Sequence, residues 1–596
     1  MVQGSVWLAA LGADGMRVEI IDRMTSFVEL RPSWEAVYDA DPESQFFLSW
    51  TFLSGHLRTL GDNWFILAIK PNEDSTDYVA FFPLRLRTIE RKGGSFFNDF
   101  NMAGNYAADY TGFICRPEFA EQAIPALAGR LRQMNWRQLR LENMMVSQQR
   151  FDLFMQRFPK HDFEFEELDR RNPDGIDNSI CPFATLPGDW DSYLDGKLSA
   201  NTRQKVRRLL RQFDKSDEFR ITHTTMDTID RDLEILFRFW AVKWGARKGK
   251  RLPAIVKSNR TALRHACATG SLFMPVLWKG ERPLGVLATL VDARKKAFLF
   301  LIGSRDETFN SPPPGVILHA HSIRHAIANG FTEYDFLRGN ESYKYSFGAE
   351  ERRIKSLYVR TKDGKNLGDK LDRKCLPFVF RRATELHKED QFVAAERAYR
   401  QVLQVEPNSK GALYGLGQLL AKRGDHFAAK RLFKSLVAID PGSYKSWFRL
   451  GRSLAARGEL AEAAEAYCEV IERQPKFVNT YHDLGHVLLR LGLAGPAVAA
   501  FEAAVGLKPD FVEAEAGRKK ALQLRSQMAA KQLGRKVRSH ADVVERVAGV
   551  RAIAIAAERY HRKADENRIL ATGVLVPRDV VAHEVMPPAV PARLQN

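Results

Sequence analysis

The chain has 596 residues, 45% hydrophobic and 27% charged, with a formal net charge of +18. That length suits roughly three to four domains of ordinary globular composition. Five widely separated cysteines without a Cys-x-x-Cys pair argue against a disulfide framework and a zinc site, and no run approaches 18 continuous apolar residues.

The expectation is therefore a cytoplasmic protein with no membrane span. The positive charge favours acidic partners: nucleic acid, an anionic membrane, or a phosphorylated cofactor or substrate. A merely basic surface serves equally well. The apolar run Val6–Leu11 has no basic residue before it and is too short for a signal peptide. Met16, with Val18-Glu19-Ile20-Ile21 after it, reads as an alternative start.

Residues 16–175 read as mixed α/β. Trp64–Ile69 and Tyr78–Leu86 flank the turn-rich Pro71–Ser75 and predict an antiparallel pair. Ile124, Leu127, Ala128 and Leu131 predict a helix over 121–134, and Gln138–Leu141 a strand. No catalytic constellation shows here. Arg171–Gly175 and Leu186–Asp189 carry turn chemistry and read as a linker.

Ser199 is the expected N-cap of a helix through Phe213. Arg203, Lys205, Arg207, Arg208 and Arg211 cover much of it, as a solvated face or as a phosphate- or nucleic-acid-facing one. Arg247–Arg251 is a second basic group, which a helix C-terminus also favours. Strands are expected at 272–278, 284–291 and 297–302. After Pro312-Pro313-Pro314-Gly315 comes a helix to Asn329 with Val316, Ala320, Ile323 and Ile327 on its buried stripe. A glycine-led helix start suits a phosphate. Gly330 ends the helix, and Phe331–Leu337 reads as a buried strand.

That strand releases Asp335-Phe336-Leu337-Arg338-Gly339-Asn340-Glu341-Ser342-Tyr343-Lys344, then Phe347-Gly348. Polar residues at a strand's carboxyl end are a usual way for an α/β protein to present a site. A strand-end ion-pair cluster without chemistry is the equal alternative, with Asp335 paired to Arg338 and Tyr343 and Phe347 as packing aromatics. As chemistry, Asp335 and Glu341 are base candidates, Tyr343 an acid candidate, and Arg338 and Lys344 holders of an anion or of developing charge.

Residues 190–360 resemble the GNAT acyltransferase superfamily, on three stretches: Tyr193-Leu194 with Leu198–Arg203 and Arg207-Arg208, the Gly315 helix, and 335–348. More narrowly, they resemble its bacterial branch associated with cellulose and exopolysaccharide biosynthesis, related to the two-domain Fem-type aminoacyl transferases. Residues 16–175 resemble that branch's amino-terminal partner domain. The resemblance implies acyl transfer from acyl-CoA, as co-substrate rather than resident cofactor, to an amine or hydroxyl. It implies pyrophosphate on the amides of Gly315, Val316, Ile317 and Leu318, and the thioester between splayed strands 284–291 and 332–337. The fuller Gln/Arg-x-x-Gly-x-Gly/Ala loop of standard members is missing from the chain.

Beyond 370, Pro407, Pro441, Pro475 and Pro509 recur at 34 residues, as do Gly417, Gly451 and Gly485 and the aromatics Tyr399, Phe433, Tyr467 and Phe501. This is the tetratricopeptide period of paired helices. Tyr414, Gln418, Phe448, Arg452, His482 and His486 are expected on a concave face that takes a protein or peptide. His482 and His486 lack a third ligand, so no metal site is expected. A polar helix from Val512 to about Met528 caps the array, and 530–596 reads as a helix and a disordered tail.

The fold class expected is α/β plus all-α: two tandem GNAT-like mixed-sheet domains, at 16–175 and 190–362, then a tetratricopeptide (TPR) solenoid at 376–528. The leading function is an acyltransferase docked through its repeats, with acetyl the first acyl group considered. A Fem-like transferase using aminoacyl-tRNA, the one nucleic acid entertained, and a non-catalytic adaptor are the alternatives.

Overall fold

The computed structural model describes residues 10–11, 15–104 and 107–532; most of the expected 530–596 segment lies outside them. Two compact units divide the chain, Met1–Pro407 and Asn408–Asn596.

The first unit holds two mixed sheets. Its main strands are, in chain order, β1 (Arg17–Ile21), β2 (Trp64–Lys70), β3 (Ala80–Arg91), β4 (Ser95–Met102), β5 (Gln138–Met144), β6 (Phe163–Glu167), β7 (Ile180–Thr185), β8 (Phe219–His223), β9 (Pro275–Lys279), β10 (Arg282–Asp292), β11 (Ala297–Arg305), β12 (Glu333–Asp335), β13 (Glu350–Arg353) and β14 (Lys355–Thr361). The first sheet runs β1-β2-β3-β4-β5-β14-β6 and the second β8-β9-β10-β11-β12-β7-β13. Short two-residue strands add to each. Every neighbouring pair is antiparallel except β4–β5 and β11–β12, at the same place in both orders. A helix links each parallel pair, as parallel neighbours require: α1 (Ala120–Arg132) and α2 (Pro314–Ala328).

Three expectations change. The stretch between the two turn-rich segments is not merely a linker: it holds β7, a strand of the second sheet pairing with β12 and β13. The stretch expected at 190–362 does not serve one sheet alone, because β14, at its end, pairs with β5 and β6 in the first sheet. The first sheet is thus completed by a strand from beyond its own run of sequence. The strand expected over 331–337 is only three residues long.

Local chemistry explains the rest. In β2, Trp-Phe-Ile-Leu-Ala-Ile is buried throughout, as a strand covered on both faces must be. Ser199 caps its helix, α3 (Ala200–Asp214), by accepting from the Thr202 amide. On α3, Arg203 and Arg207 pair with Asp195. Gly285 on β10 matters for the site: a Cβ there would lie 3.2 Å from Leu318 and 3.3 Å from Pro314, so its absence lets the first turns of α2 settle on the sheet.

The repeat array is divided between the units. Its first helix pair, Leu376–Lys388 and Phe392–Val405, belongs to the first unit. There Gln401 bonds both the amide and the carbonyl of Phe96 on β4, each at 2.9 Å. The second unit holds three further pairs and the capping helix Val512–Gln532. In each pair a glycine faces an aromatic ring. A Cβ would come within 2.8 Å of Phe433 at Gly417, 2.6 Å of Tyr467 at Gly451 and 2.7 Å of Phe501 at Gly485. The 34-residue register of glycine and aromatic is a packing rule.

Candidate functional site

The site begins where β11 and β12 part. They pair at Ala297–Glu333, Phe298–Tyr334 and Leu299–Asp335, then stop. Against β10, the β11 register shifts so that Leu301 is an extra residue, a bulge that bends the strand before pairing with β10 resumes at Ile302. Phe300–Arg305 therefore has a free edge on the β12 side, about 20 Å of strand. The expected splayed pair, 284–291 and 332–337, is corrected: the strand at 284–291 is β10, antiparallel to β11, and the opening lies between β11 and β12.

Helix α2 lies over this opening. Its N-cap residue is Pro313, which offers no side-chain cap, and Pro314 has no N–H. The amides of Gly315 and Val316 find no acceptor among the described residues. A Cβ at Gly315 would meet nothing within 4 Å. Of the four expected cofactor residues, these two offer free donors. Ile317 and Leu318 are fully buried, their side chains in the core beside Leu284 and Leu287.

The polar cluster is committed to partners, and not the expected ones. Asp335 is fully buried. It accepts from the Tyr110 hydroxyl at 2.9 Å and the Leu337 amide at 2.7 Å, and pairs with Arg352 rather than Arg338. Burial lifts its carboxyl above the usual range, against the downward pull of Arg352. Arg338 instead donates to Asp109 at 2.7 Å. Lys344, 2% exposed, donates to the carbonyls of Arg338 (2.9 Å) and Gly339 (2.8 Å) and pairs with Glu341 at 2.9 Å. With three donors so engaged, its ammonium is not free to hold an anion. The turn it ties includes Leu337 at φ 55°, an uncommon conformation for a branched side chain. Tyr343 keeps 42% of its surface exposed, yet local desolvation and then the Glu341 charge push its phenol above the usual value.

On the opposite face of the second sheet from α2 is a cavity of about 470 Å3. One side comes from the first sheet's domain, with Glu43, Ser44, Gln45, Tyr110 and Ser147; the other from Asp292, Lys295, Leu299, Glu333, Asp335 and Arg352. Of the five expected catalytic residues, only Asp335 is on its wall. Gln45 Nε2 and Arg352 Nε are buried donors without partners among the described residues. Tyr110 and Arg352 carried no signal in sequence, being remote from 335 and acquiring meaning only through the sheet pairing.

In the second unit a groove of about 400 Å3 is lined by Tyr414, Phe448 and Arg452, as expected, together with Tyr444, Arg449 and Phe477. Gln418, His482 and His486 are not among its lining residues. The two histidines face each other, Nε2 to Nε2 at 3.2 Å. Among the described residues no three ligands gather for a metal, and no helix is long and apolar enough to cross a membrane.

Comparison with known proteins agrees with this division. Residues 200–345 match the acetyltransferase (GNAT) domain family, and tetratricopeptide repeat families match 386–450, 444–477 and 478–511. The chain thus carries a GNAT acetyltransferase domain followed by TPR repeats. Similar solved structures include FemX, at 10% identity over 58% of this chain and 97% of that one, TM-score 0.41. Another is MamA, at 22% identity over 34% of this chain and 99% of that one, TM-score 0.25. MamA from Desulfovibrio magneticus RS-1 is 17% identical over 27% of this chain and 97% of that one, TM-score 0.23. No curated protein matches.

Proposed function

We propose that this chain transfers an acyl group, acetyl first, from acyl-CoA to an amine or hydroxyl acceptor, with its TPR repeats holding a protein partner. The supporting observation is the coincidence at one place of three features: a parallel pair that stops at Leu299–Asp335, a bulge at Leu301, and a helix start with two free amides. The free amides and helix dipole suit the cofactor's pyrophosphate. The unpaired edge of β11 gives the pantetheine arm a strand to lie against. The thioester then lies at the bulge, and the cavity behind Asp335 receives the acceptor. In the same reading the first sheet, with the same order over its first five strands and the same parallel step, is a second GNAT-like domain that supplies the other wall. A role in surface polysaccharide assembly belongs to this proposal.

The acceptor's nitrogen or oxygen attacks the thioester carbonyl, forming a C–N or C–O bond as the C–S bond breaks. The acceptor's proton passes to Asp335, whose raised carboxyl suits a base, and the thiolate leaves with a proton from Tyr343. Arg338, Glu341 and Lys344 shape the loop that holds these two.

Calorimetric titration of the full chain with acetyl-CoA tests the donor. Gly315→Asp has room for its side chain and suits a helix start, so folding is retained. A second negative charge beside the phosphates should weaken binding about tenfold. Unchanged affinity in the variant, or no binding to the wild type, overturns the reading.

A further inference from the structure

A string of polar groups runs through the core between the second sheet and α2. Thr289, Ser322 and Tyr334 are fully buried, and His319 is 5% exposed. Their surroundings are apolar: Ala320, Ile323, Phe298 and Phe336 belong to the same core. Buried polar groups in such a place require an explanation. His319 stands one helical turn beyond Gly315, so both are on one side of α2. Its ring meets Phe300, the first residue of β11 beyond its pairing with β12, at 4.6 Å between centroids, and Phe336, the first residue past β12, at 5.5 Å. Phe347 and Tyr343 complete the surround at 5.2 and 5.8 Å. The imidazole thus occupies the point where the two strands part.

The hydrogen bonds fix which nitrogen carries the proton. His319 Nδ1 and the Tyr334 hydroxyl are 3.0 Å apart. The buried hydroxyls of Thr289 and Ser322 lie near the same phenol and have no hydrogen-bond partner among the described residues. A phenol is a stronger acid than a neutral imidazole N–H, and the imidazole nitrogen is the better base, so Tyr334 donates and Nδ1 accepts. Burial, and then the nearby Lys344 charge, hold His319 down to about 3, so the ring is neutral and its own proton sits on Nε2. Nε2 has no partner among the described residues, and it is not among the polar atoms sealed from solvent.

We propose that the His319 Nε2–H donates a hydrogen bond to the thioester carbonyl of the bound acyl donor, making His319 a catalytic residue beside the Leu301 bulge. This rests on the acyl-CoA reading above. As the acceptor attacks, the carbonyl oxygen gains negative charge, and a preorganised donor in an apolar surround stabilises that charge more than the ground-state carbonyl. Tyr334 acts through His319 as a positioning residue: its hydroxyl selects the tautomer. The polar string is thereby explained, since a hydrocarbon core at this point could not orient a donor.

The test compares acetyl-CoA with S-ethyl-CoA, a thioether that lacks the carbonyl, by calorimetry on the full chain. The wild type is expected to prefer acetyl-CoA several-fold. His319→Leu, an apolar change in an apolar surround, should bring the ratio to about one while leaving S-ethyl-CoA affinity unchanged. His319→Gln, which keeps an acceptor for Tyr334 and a donor beyond it, should recover part of the preference. With a 13C-labelled acetyl carbonyl, the infrared stretch should shift down on binding to the wild type and to His319→Gln. It should not shift with His319→Leu, and Tyr334→Phe should give a smaller shift without changing S-ethyl-CoA affinity. A preference and carbonyl shift that persist in His319→Leu overturn this inference alone. No binding of either compound to the wild type overturns it together with the acyl-CoA reading.

Discussion

Replacing Asp335 by asparagine separates two roles that the structure gives one residue. The carboxylate accepts from Tyr110 at 2.9 Å and from the Leu337 amide at 2.7 Å and pairs with Arg352. Asparagine keeps one acceptor and turns a donor toward Arg352. Removing one partner of a buried ion pair costs about 3–5 kcal/mol. Arg352 has a 28% exposed side chain and retains Glu333 at 2.7 Å, so about 2–3 kcal/mol is expected here. Arg352→Ala breaks the same pair from the other side and should destabilise to a similar degree. The two differ in chemistry. Without a base, Asp335→Asn should lose turnover about 10²- to 10⁴-fold and the ascending limb of its pH profile. Arg352→Ala keeps the base, but the buried carboxylate loses its cation, so the ascending limb should move to higher pH. Stability carries its own sign. The folded carboxyl lies above 3.8, so its contribution is complete below that value and falls as pH rises through the raised pKa. The assay is release of the CoA thiol against pH, with urea unfolding of each variant. If Asp335→Asn retains turnover within tenfold, or Arg352→Ala leaves the limb in place, Asp335 is an interlock and not a base.

Gly451→Ala should destabilise its repeat by about 1–2 kcal/mol: the helix gains up to about 1 kcal/mol from alanine, but a Cβ within 2.6 Å of the buried Tyr467 ring overpacks the site. Gly506→Ala, where a Cβ meets nothing within 4 Å, should be neutral or stabilising; peptide-resolved amide exchange reads both, and equal protection would refute the packing rule. Lys344→Met should cost about 3 kcal/mol by leaving the Arg338 and Gly339 carbonyls without their donor. Its check is faster exchange confined to residues near 337–348, and a loss of turnover with that segment still protected would return Lys344 to the chemistry.

The parts legible in sequence were those encoded by local rules. Periodicity found the helices at 200–214 and 314–328, Ser199 and Gly330 marked a helix start and stop, and the 34-residue register found the repeats. What sequence did not show depended on which strand lies beside which. Residues 180–185 sit between two turn-rich segments and look like a connection, but they serve a sheet completed 150 residues later. Asp335 beside Arg338 is an obvious pair by spacing. The backbone at Leu337, at φ 55°, turns between them and sends each to a different partner. His319 was read only as part of a helix, because its hydrogen-bond partner Tyr334 stands on a strand that only the folded sheet brings beside it.

These partners have a common origin. Arg338 reaches Asp109, and Asp335 reaches Tyr110; both are consecutive residues of the first sheet's domain. The end of β12 is therefore held from outside its own sheet. A three-residue strand that pairs with β11 only as far as Leu299 has little of its own to fix where it ends. The returning strand β14 ties the end of the second sheet's run of sequence to the first sheet, and the Asp109–Tyr110 contacts set the depth at which β11 and β12 separate. The ion pairs that first looked like an alternative to chemistry are better understood as its frame. They keep the opening at Phe300 and Phe336 apart on one face while Asp335 stays on the cavity wall on the other.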